Sequence, residues 1–251
     1  RVLLFGEWGA FKSWLLADLA CAMANGVPVW DGHQTKQRSV LYIDEEMGQR
    51  RLEPRIRLLQ AGQGYEKTDT LHLASWQGVR FGSRGGDALL ERLKDAKLDP
   101  QVIIIESVRT TMLGNENDAI DCNSFWNAIL PITRTGVTVI VSHHMRKPKQ
   151  FLDGQGEDRV KDRASGNTAI LSHPDAAYAV LTPGRWSVKI ECVKQKDGDF
   201  SDDISLHLAI TKDSARITPS SQVGRPGIPV EQVVATTLAI LKRQGPLAPA
   251  E

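Results

Sequence analysis

The sequence predicts an α/β fold in which helices flank a mainly parallel central sheet and antiparallel strands extend one edge. Three observations predict this fold. Short apolar runs rich in β-branched residues alternate with segments of helical periodicity. A glycine-containing loop joins the first apolar run to the first helical segment, and the last three apolar runs follow one another without intervening helices. Strands that alternate with helices are typical of a parallel sheet.

The elements of the parallel part follow from hydrophobic periodicity. The predicted buried strands are residues 2–5, 39–44, 70–75, 101–106 and 135–142. The predicted helices between them are residues 13–25, 47–60, 87–97 and 119–133. Gly26, Gly62 and Gly136 stand where helix C-caps are expected, because glycine adopts the left-handed backbone conformation of a cap without a steric penalty.

The later part of the chain is organised differently. Residues 176–181, 187–193 and 204–210 alternate like antiparallel strands, with a hairpin turn at Pro183-Gly184. Residues 146–163 are polar and aperiodic, which indicates a long functional loop. We expect one α/β domain over residues 1–217, a linker at 218–229, and a C-terminal helix within 230–251 that begins a further module. The apolar start of the chain suggests a truncated N-terminus.

Composition narrows the function classes. The chain has 251 residues, of which 41% are hydrophobic and 24% charged, enough for one large domain and a short appendage. Because the formal net charge is only +1, nucleic-acid contacts must come from local patches. Cys21, Cys122 and Cys192 are too far apart to indicate a disulfide framework or zinc knuckle. No apolar run approaches the roughly 20 residues that span a bilayer, so we expect a cytoplasmic protein without membrane contact.

The loop after the first strand has the character of a phosphate-binding loop. Its residues are Gly6, Glu7, Trp8, Gly9, Ala10, Phe11, Lys12 and Ser13, and Trp14 completes the predicted cofactor-binding set. Backbone N–H groups and the helix N-terminus would cradle the phosphates of ATP. Lys12 would contact the β- and γ-phosphates, and the Ser13 hydroxyl would bind Mg²⁺. Phe11 replaces the usual glycine. The alternative is a strand-to-helix turn with a solvated lysine.

Acidic residues close two predicted strands. The second strand ends in Asp44, Glu45 and Glu46, at the edge where ligands of parallel sheets bind, and Glu46 is our candidate for the base that activates water. The alternative makes these acids the N-terminal charges of the next helix. Glu106 ends the wholly apolar strand 102–105 and is the candidate Mg²⁺ acid, although aspartate is more usual there. A purely structural Glu106 is the alternative.

With these segments in order, residues 2–200 resemble the RepA-like branch of RecA/DnaB-type P-loop ATPases, the hexameric replicative helicases of plasmids and phages. The resemblance lies in GEWGAFKSWLLADLA, VLYIDEEM, VIIIESVRTTMLGNENDA, VTVIVSHHMRK, RASGNTAI and ECVKQKDGDF. It implies a RecA-like fold, with Glu46 as catalytic base and Glu106 as the metal-binding acid. It also implies that one of the paired histidines is a γ-phosphate sensor. We favour His143 over His144, and a plain hydrogen-bonded histidine is the alternative.

The resemblance implies two further elements. Lys194 and Lys196 match a trans-acting pair that reaches the neighbouring subunit's γ-phosphate, although Lys196 replaces an expected arginine. Ordinary surface lysines are the alternative. The loop 146–163 carries six basic and four acidic residues. We predict nucleic-acid contacts from Arg146, Lys147, Lys149 and Arg163, with a solvated lid as the alternative.

The predicted function is ATP hydrolysis with Mg²⁺ by a hexameric motor that acts on single-stranded DNA as a helicase. A second hypothesis is a regulatory or recombination-mediating ATPase switch without helicase activity, which Phe11 and Lys196 favour. A third is a phosphotransferase, although the sequence contains no recognisable acceptor pocket. Stimulation of ATP hydrolysis by single-stranded DNA would distinguish the first hypothesis from the others.

Overall fold

The computed structural model describes residues 1–30, 32–146 and 159–220. The described strands are β1 Val2–Gly6, β2 Val40–Asp44, β3 Leu71–Ser75, β4 Val102–Glu106, β5 Thr138–His144, β6 Ala176–Gly184, β7 Ser187–Gln195, β8 Ile204–Ile210 and β9 Ala215–Pro219. The described α-helices are α1 Lys12–Asn25, α2 Gln49–Gln63, α3 Gly85–Asp95, α4 Val108–Thr111 and α5 Ala119–Arg134. Two short 3-10 helices span Val160–Arg163 and Thr168–Leu171.

The described strands form one nine-stranded sheet in the order β3-β2-β4-β5-β1-β6-β7-β8-β9. Neighbours from β3 to β6 pair in parallel, and β6 to β9 pair antiparallel. The predicted α/β fold with a RecA-like, mainly parallel sheet and antiparallel edge strands is therefore confirmed. One detail differs, since β6 pairs antiparallel with β7 but parallel with β1.

Helices cover both faces of the sheet, so the parallel strands are apolar on both sides. In β2, Val40 and Tyr42 pack with α1 and α2, whereas Leu41 and Ile43 pack with α3 and α5. None of the helices in the described ranges has the length and hydropathy needed to cross a bilayer.

Helix α2 differs from its predicted bounds at both ends. It begins at Gln49 rather than residue 47, because the Asp44 carboxylate accepts the N–H groups of Glu46, Met47 and Gly48 and holds them in a turn. Its C-cap is Gly64, at φ 77°, and not Gly62. Gly62 lies inside the helix, where an added Cβ would stand 2.0 Å from the carbonyl oxygen of Ala215. Close packing of α2 on β9 therefore explains this glycine.

The other predicted caps and turns also have clear outcomes. Gly26 caps α1, as predicted, and Gly136 follows the C-terminus of α5 at φ 92°. The hairpin turn is Arg185-Trp186, because β6 continues through Pro183 and Gly184.

The ends of the predicted loop and domain fall partly within regular structure. The 3-10 helix Val160–Arg163 ends the predicted loop 146–163. Arg1–Pro219 form one compact unit, and β9 runs two residues past the predicted domain end at 217. The predicted C-terminal helix and all but the first residues of the predicted linker lie outside the described residues.

Candidate active site

The predicted phosphate-binding loop lies at the carboxyl edge of the sheet, between β1 and α1. One pocket there is lined by residues 8–14 together with Glu46, Arg55, Glu106 and His144. The pocket residues end or follow β1, β2, β4 and β5, which are neighbouring strands of the parallel sheet. The fold therefore brings the predicted loop, both predicted acids and one predicted histidine to one place.

Phe11 adopts the backbone conformation that glycine would otherwise supply. Its φ is 59° and its ψ 14°, in the left-handed region, which costs a residue with a Cβ about 1–2 kcal/mol. The Phe11 carbonyl oxygen accepts the N–H groups of Trp14 and Leu15 and so begins α1. The loop consequently keeps its turn despite the substitution.

Lys12 is folded back onto the loop that precedes it. Its Nζ donates to the carbonyl oxygens of Gly6 at 3.0 Å and Glu7 at 2.9 Å. Burial lowers the pKa of Lys12, while the nearby Glu106 and Glu46 carboxylates raise it. A polyphosphate would offer this ammonium stronger, charged acceptors than the two carbonyl oxygens.

Glu106 lies at the centre of a buried hydrogen-bond network. One carboxylate oxygen accepts the Ser13 hydroxyl, and Oε2 accepts the Tyr42 hydroxyl at 2.5 Å. Burial raises the pKa of Glu106, while these two hydrogen bonds lower it. Tyr42 was not predicted as a site residue, although its place two residues before Asp44 puts it on the same face of β2. The Ser13 and Glu106 oxygens are the hard ligands that Mg²⁺ prefers.

The three acids at the end of β2 and directly after it have separate surroundings. Asp44 is fully buried and caps the turn before α2. The Glu45 carboxylate accepts the Val79 N–H at 3.0 Å and lies 3.6 Å from Arg80. Glu46 lines the phosphate-loop pocket, with its side chain 30% exposed. Among the three, only Glu46 is placed to contact a bound nucleotide.

The paired histidines have different surroundings, and of the two only His144 lines the pocket. His144 lines the pocket, with Nε2 3.9 Å from Glu46 Oε1 and its ring stacked on Trp8 at 4.8 Å between centroids. Its pKa is lowered to about 4, chiefly by burial and then by Lys12, so it is neutral at pH 7. The favoured His143 instead lies 2.9 Å, through Nε2, from the carbonyl oxygen of Ser165. The sensor proposal therefore moves to His144.

Arg55 is a pocket residue that the sequence analysis missed. Its guanidinium carbon lies 4.5 Å from the Trp14 ring centroid, a cation–π contact. Burial lowers the pKa of Arg55, and the nearby Tyr42 and Glu106 raise it. Leu52 and Leu59 are buried on α2, and Arg55 is three residues after one and four before the other. A basic residue within this apolar stripe of α2 could have indicated that the arginine faces the interior of the site.

Lys194 and Lys196 lie far from the phosphate loop of their own chain. Lys194 is at the end of β7 and Lys196 directly follows the strand, where Gln195 pairs with Ala176 and Ala176 pairs with Val2. The phosphate loop begins at the other end of β1, at Gly6, four residues and roughly 13 Å along the strand from Val2. Both ammonium groups are hydrogen-bonded within the chain, Lys194 to the carbonyl oxygens of Leu171 and Ser172, and Lys196 to His173 and Asp175.

The two described cations of the predicted nucleic-acid set lie at the base of the loop. Backbone Arg146 N–H donates to the Arg163 carbonyl oxygen, closing the loop. The Arg163 guanidinium forms an ion pair with Glu7 of the phosphate loop, and its side chain is 11% exposed. The predicted contacts Lys147 and Lys149 lie outside the described residues. Arg163 is therefore largely buried against Glu7 at the start of the phosphate loop and is not an exposed cation.

Comparison with known proteins agrees with this geometry. Residues 1–150, more than half of the chain, match the AAA_25 family, described as an AAA domain. No curated protein matches the chain. The matched region contains the phosphate loop, Glu46, Glu106 and the paired histidines. The chain belongs to the AAA_25 family of AAA domains and is a P-loop ATPase of the RecA/DnaB type.

Proposed function

We propose that the chain is an ATP-hydrolysing hexameric motor of the RepA-like branch, a DNA helicase of plasmid or phage replication. The observation that carries the proposal is the position of Lys194 and Lys196 at the sheet edge opposite the phosphate loop. If such lysines complete the ATP site, the lysines at each site must come from a neighbouring copy of the chain. A ring of subunits supplies that arrangement, in which each copy acts on the next.

Within one subunit, the described side chains support hydrolysis. Lys12 would bind the β- and γ-phosphates, and Ser13 and Glu106 would hold Mg²⁺, which would neutralise charge on the phosphate oxygens. Glu46 would accept a proton from the attacking water, with neutral His144 beside it. Arg55 would add a second positive charge to a pocket that already contains two carboxylates.

The loop base supports coupling between nucleotide and DNA. Lys12 bonds to Glu7 through the backbone carbonyl, while the Glu7 side chain bonds to Arg163. Movement of Lys12 toward bound phosphates would change the loop segment that carries Glu7. Because Arg163 ends the proposed DNA-binding loop, such a change would reach that loop.

A second candidate function is a nucleotide-dependent regulatory or recombination-mediating switch without helicase work. Two observations favour it. Lys196 lacks the planar, bidentate guanidinium of an arginine. Both lysines are also engaged by acceptors of their own chain, and those hydrogen bonds would have to break before either ammonium reached a neighbour.

We expect single-stranded DNA to stimulate ATP hydrolysis, and Lys12→Ala to abolish turnover with and without DNA. The test measures phosphate release by the purified chain at two salt concentrations, since phosphate contacts weaken with salt. Strand displacement and a hexameric mass would complete the evidence for a motor. ATP binding with no DNA-dependent turnover would favour the switch.

Replacing Arg55 with methionine is expected to weaken ATP binding by about 10- to 100-fold, because one charged hydrogen bond contributes about 1.5–3 kcal/mol. ADP binding should change less if Arg55 acts on the γ-phosphate. Equilibrium titrations with both nucleotides measure the difference. Arg57→Met is the matched control, since Arg57 lies on the same helix with a 68% exposed side chain. An equal loss of ATP affinity in both variants would show that Arg55 does not contact the nucleotide.

A further inference from the structure

Two aromatic residues lie in contact on the side of the phosphate loop away from the acids. The rings of Phe11 and Trp186 have centroids 5.6 Å apart at an interplanar angle of 36°. Phe11 belongs to the phosphate loop, whereas Trp186 is in the β6–β7 hairpin turn. Trp186 is 37% exposed, and Arg185 lies 5.9 Å from its ring centroid. The hydrolysis proposal assigns no role to this pair.

The register of the sheet places the hairpin beside and above the phosphate loop. Gly6, where the loop begins, pairs with Val180 of β6. Because β6 continues to Gly184, the hairpin extends four residues past that level, roughly 13 Å. The carbonyl oxygen of Trp186 accepts the Leu208 N–H at 2.8 Å, which anchors the turn to β8. The backbone hydrogen bond therefore fixes the position of the Trp186 indole beside the phosphate loop.

The strand order determines the direction in which a bound nucleotide lies. Glu46 follows β2, and Glu106 and His144 end β4 and β5. All three strands are on one side of β1. The terminal phosphate must lie on that side, because Lys12 and the water-activating acid act there. The sugar and base then extend toward the opposite side of β1, where β6 and β7 carry the hairpin.

We propose that Phe11 and Trp186 form a stacking surface for the purine base of the bound nucleotide. Stacking on an aromatic ring accepts any base with a large π-face. Adenine and guanine should therefore bind comparably, and the smaller pyrimidines more weakly. Glycine would adopt the left-handed backbone conformation of Phe11 without a steric penalty. A stacking role for the phenyl ring therefore explains why phenylalanine occupies this position.

The inference rests on the proposed function, since it concerns the nucleotide of the same site. Trp186→Ala is expected to weaken ADP and GDP binding about tenfold, as base–aromatic stacking contributes about 1–3 kcal/mol. Trp186→Phe should retain most of the affinity. Inorganic pyrophosphate has no base, so its affinity should be equal in the wild type and both variants. Equilibrium titration calorimetry with ADP, GDP, CDP and pyrophosphate measures all four affinities.

Phe200→Ala is the matched control, because Phe200 is an exposed aromatic in the segment between β7 and β8. It should leave every affinity unchanged. Unchanged ADP binding in Trp186→Ala would overturn the stacking surface, and so would an equal loss of pyrophosphate binding, which indicates a damaged phosphate loop. ADP binding without ATP turnover in the wild type would refute the hydrolysis proposal alone, and the comparison of Trp186 variants would still decide the stacking surface.

Discussion

Replacing Glu46 with glutamine is expected to lower kcat for ATP hydrolysis by about 10²- to 10⁴-fold. The amide has the shape of the carboxylate but cannot accept the proton of the attacking water. Nucleotide binding should change by less than about threefold, because the interaction removed is made mainly in the transition state. Steady-state phosphate release gives kcat, and equilibrium binding of ATP to the slow variant gives the affinity.

The same substitution at the preceding residue is the control. Glu45 is held by Val79 and Arg80, and its side chain is only 4% exposed. Glu45→Gln should therefore keep kcat within about threefold of the wild type and lower the free energy of unfolding by about 1–3 kcal/mol, since it alters a buried carboxylate that accepts the Val79 N–H. A large loss of kcat at Glu45 with none at Glu46 would assign the base to Glu45.

The parallel part of the sheet could be predicted from sequence because its strands are buried on both faces. Such strands appear as continuous apolar runs, which are distinct from the periodic helices between them. Pairing partners were harder to predict, since alternation in β6 shows which side chains face the core and not which strand lies beside it. Strand β9 was missed because its five residues adjoin a segment rich in serine, glycine and proline.

The candidate site was predictable to the level of the sheet edge. A motif between a strand and a helix, and acids at strand ends, place Lys12, Glu46 and Glu106 near one another. The sequence could not identify which of the two adjacent histidines lines the pocket. Alternation along a strand places His143 and His144 on opposite faces of the sheet, but it does not show which face carries the pocket. Arg55 was missed since helical periodicity assigns a charged residue to the solvent face by default.

Titration of the buried Asp18 is expected to make the free energy of unfolding depend on pH. This residue of α1 is fully buried, and its Oδ1 accepts the Tyr65 hydroxyl at 2.8 Å and Gln63 Nε2 at 3.3 Å. Its Oδ2 has no hydrogen-bond partner among the described residues. Burial raises the pKa of Asp18 from 3.8 to about 6, while the hydrogen bonds from Tyr65 and Gln63 lower it. Between pH 3.8 and about 6 the folded protein therefore holds the Asp18 proton more tightly than the unfolded chain does.

The sign of the pH effect follows from that preference. Because the pKa is higher in the folded state than in the unfolded state, the unfolded chain loses the Asp18 proton first as the pH rises. The stability that this group contributes below pH 3.8 is lost as the pH rises through about 6. Two pKa units correspond to about 3 kcal/mol in total, of which about half is lost between pH 5 and pH 8.

Asp18→Asn removes this titration, so the stability of the variant relative to wild type should rise by about 1.5 kcal/mol from pH 5 to pH 8. Urea unfolding at a series of pH values measures the difference. Asp213→Asn is the control, since that side chain is 79% exposed and its removal should leave the pH profile unchanged. Parallel profiles for wild type and Asp18→Asn would show that the buried carboxyl stays ionised in the folded protein. In that case the hydrogen bonds from Tyr65 and Gln63 would lower the pKa of Asp18 by more than its burial raises it.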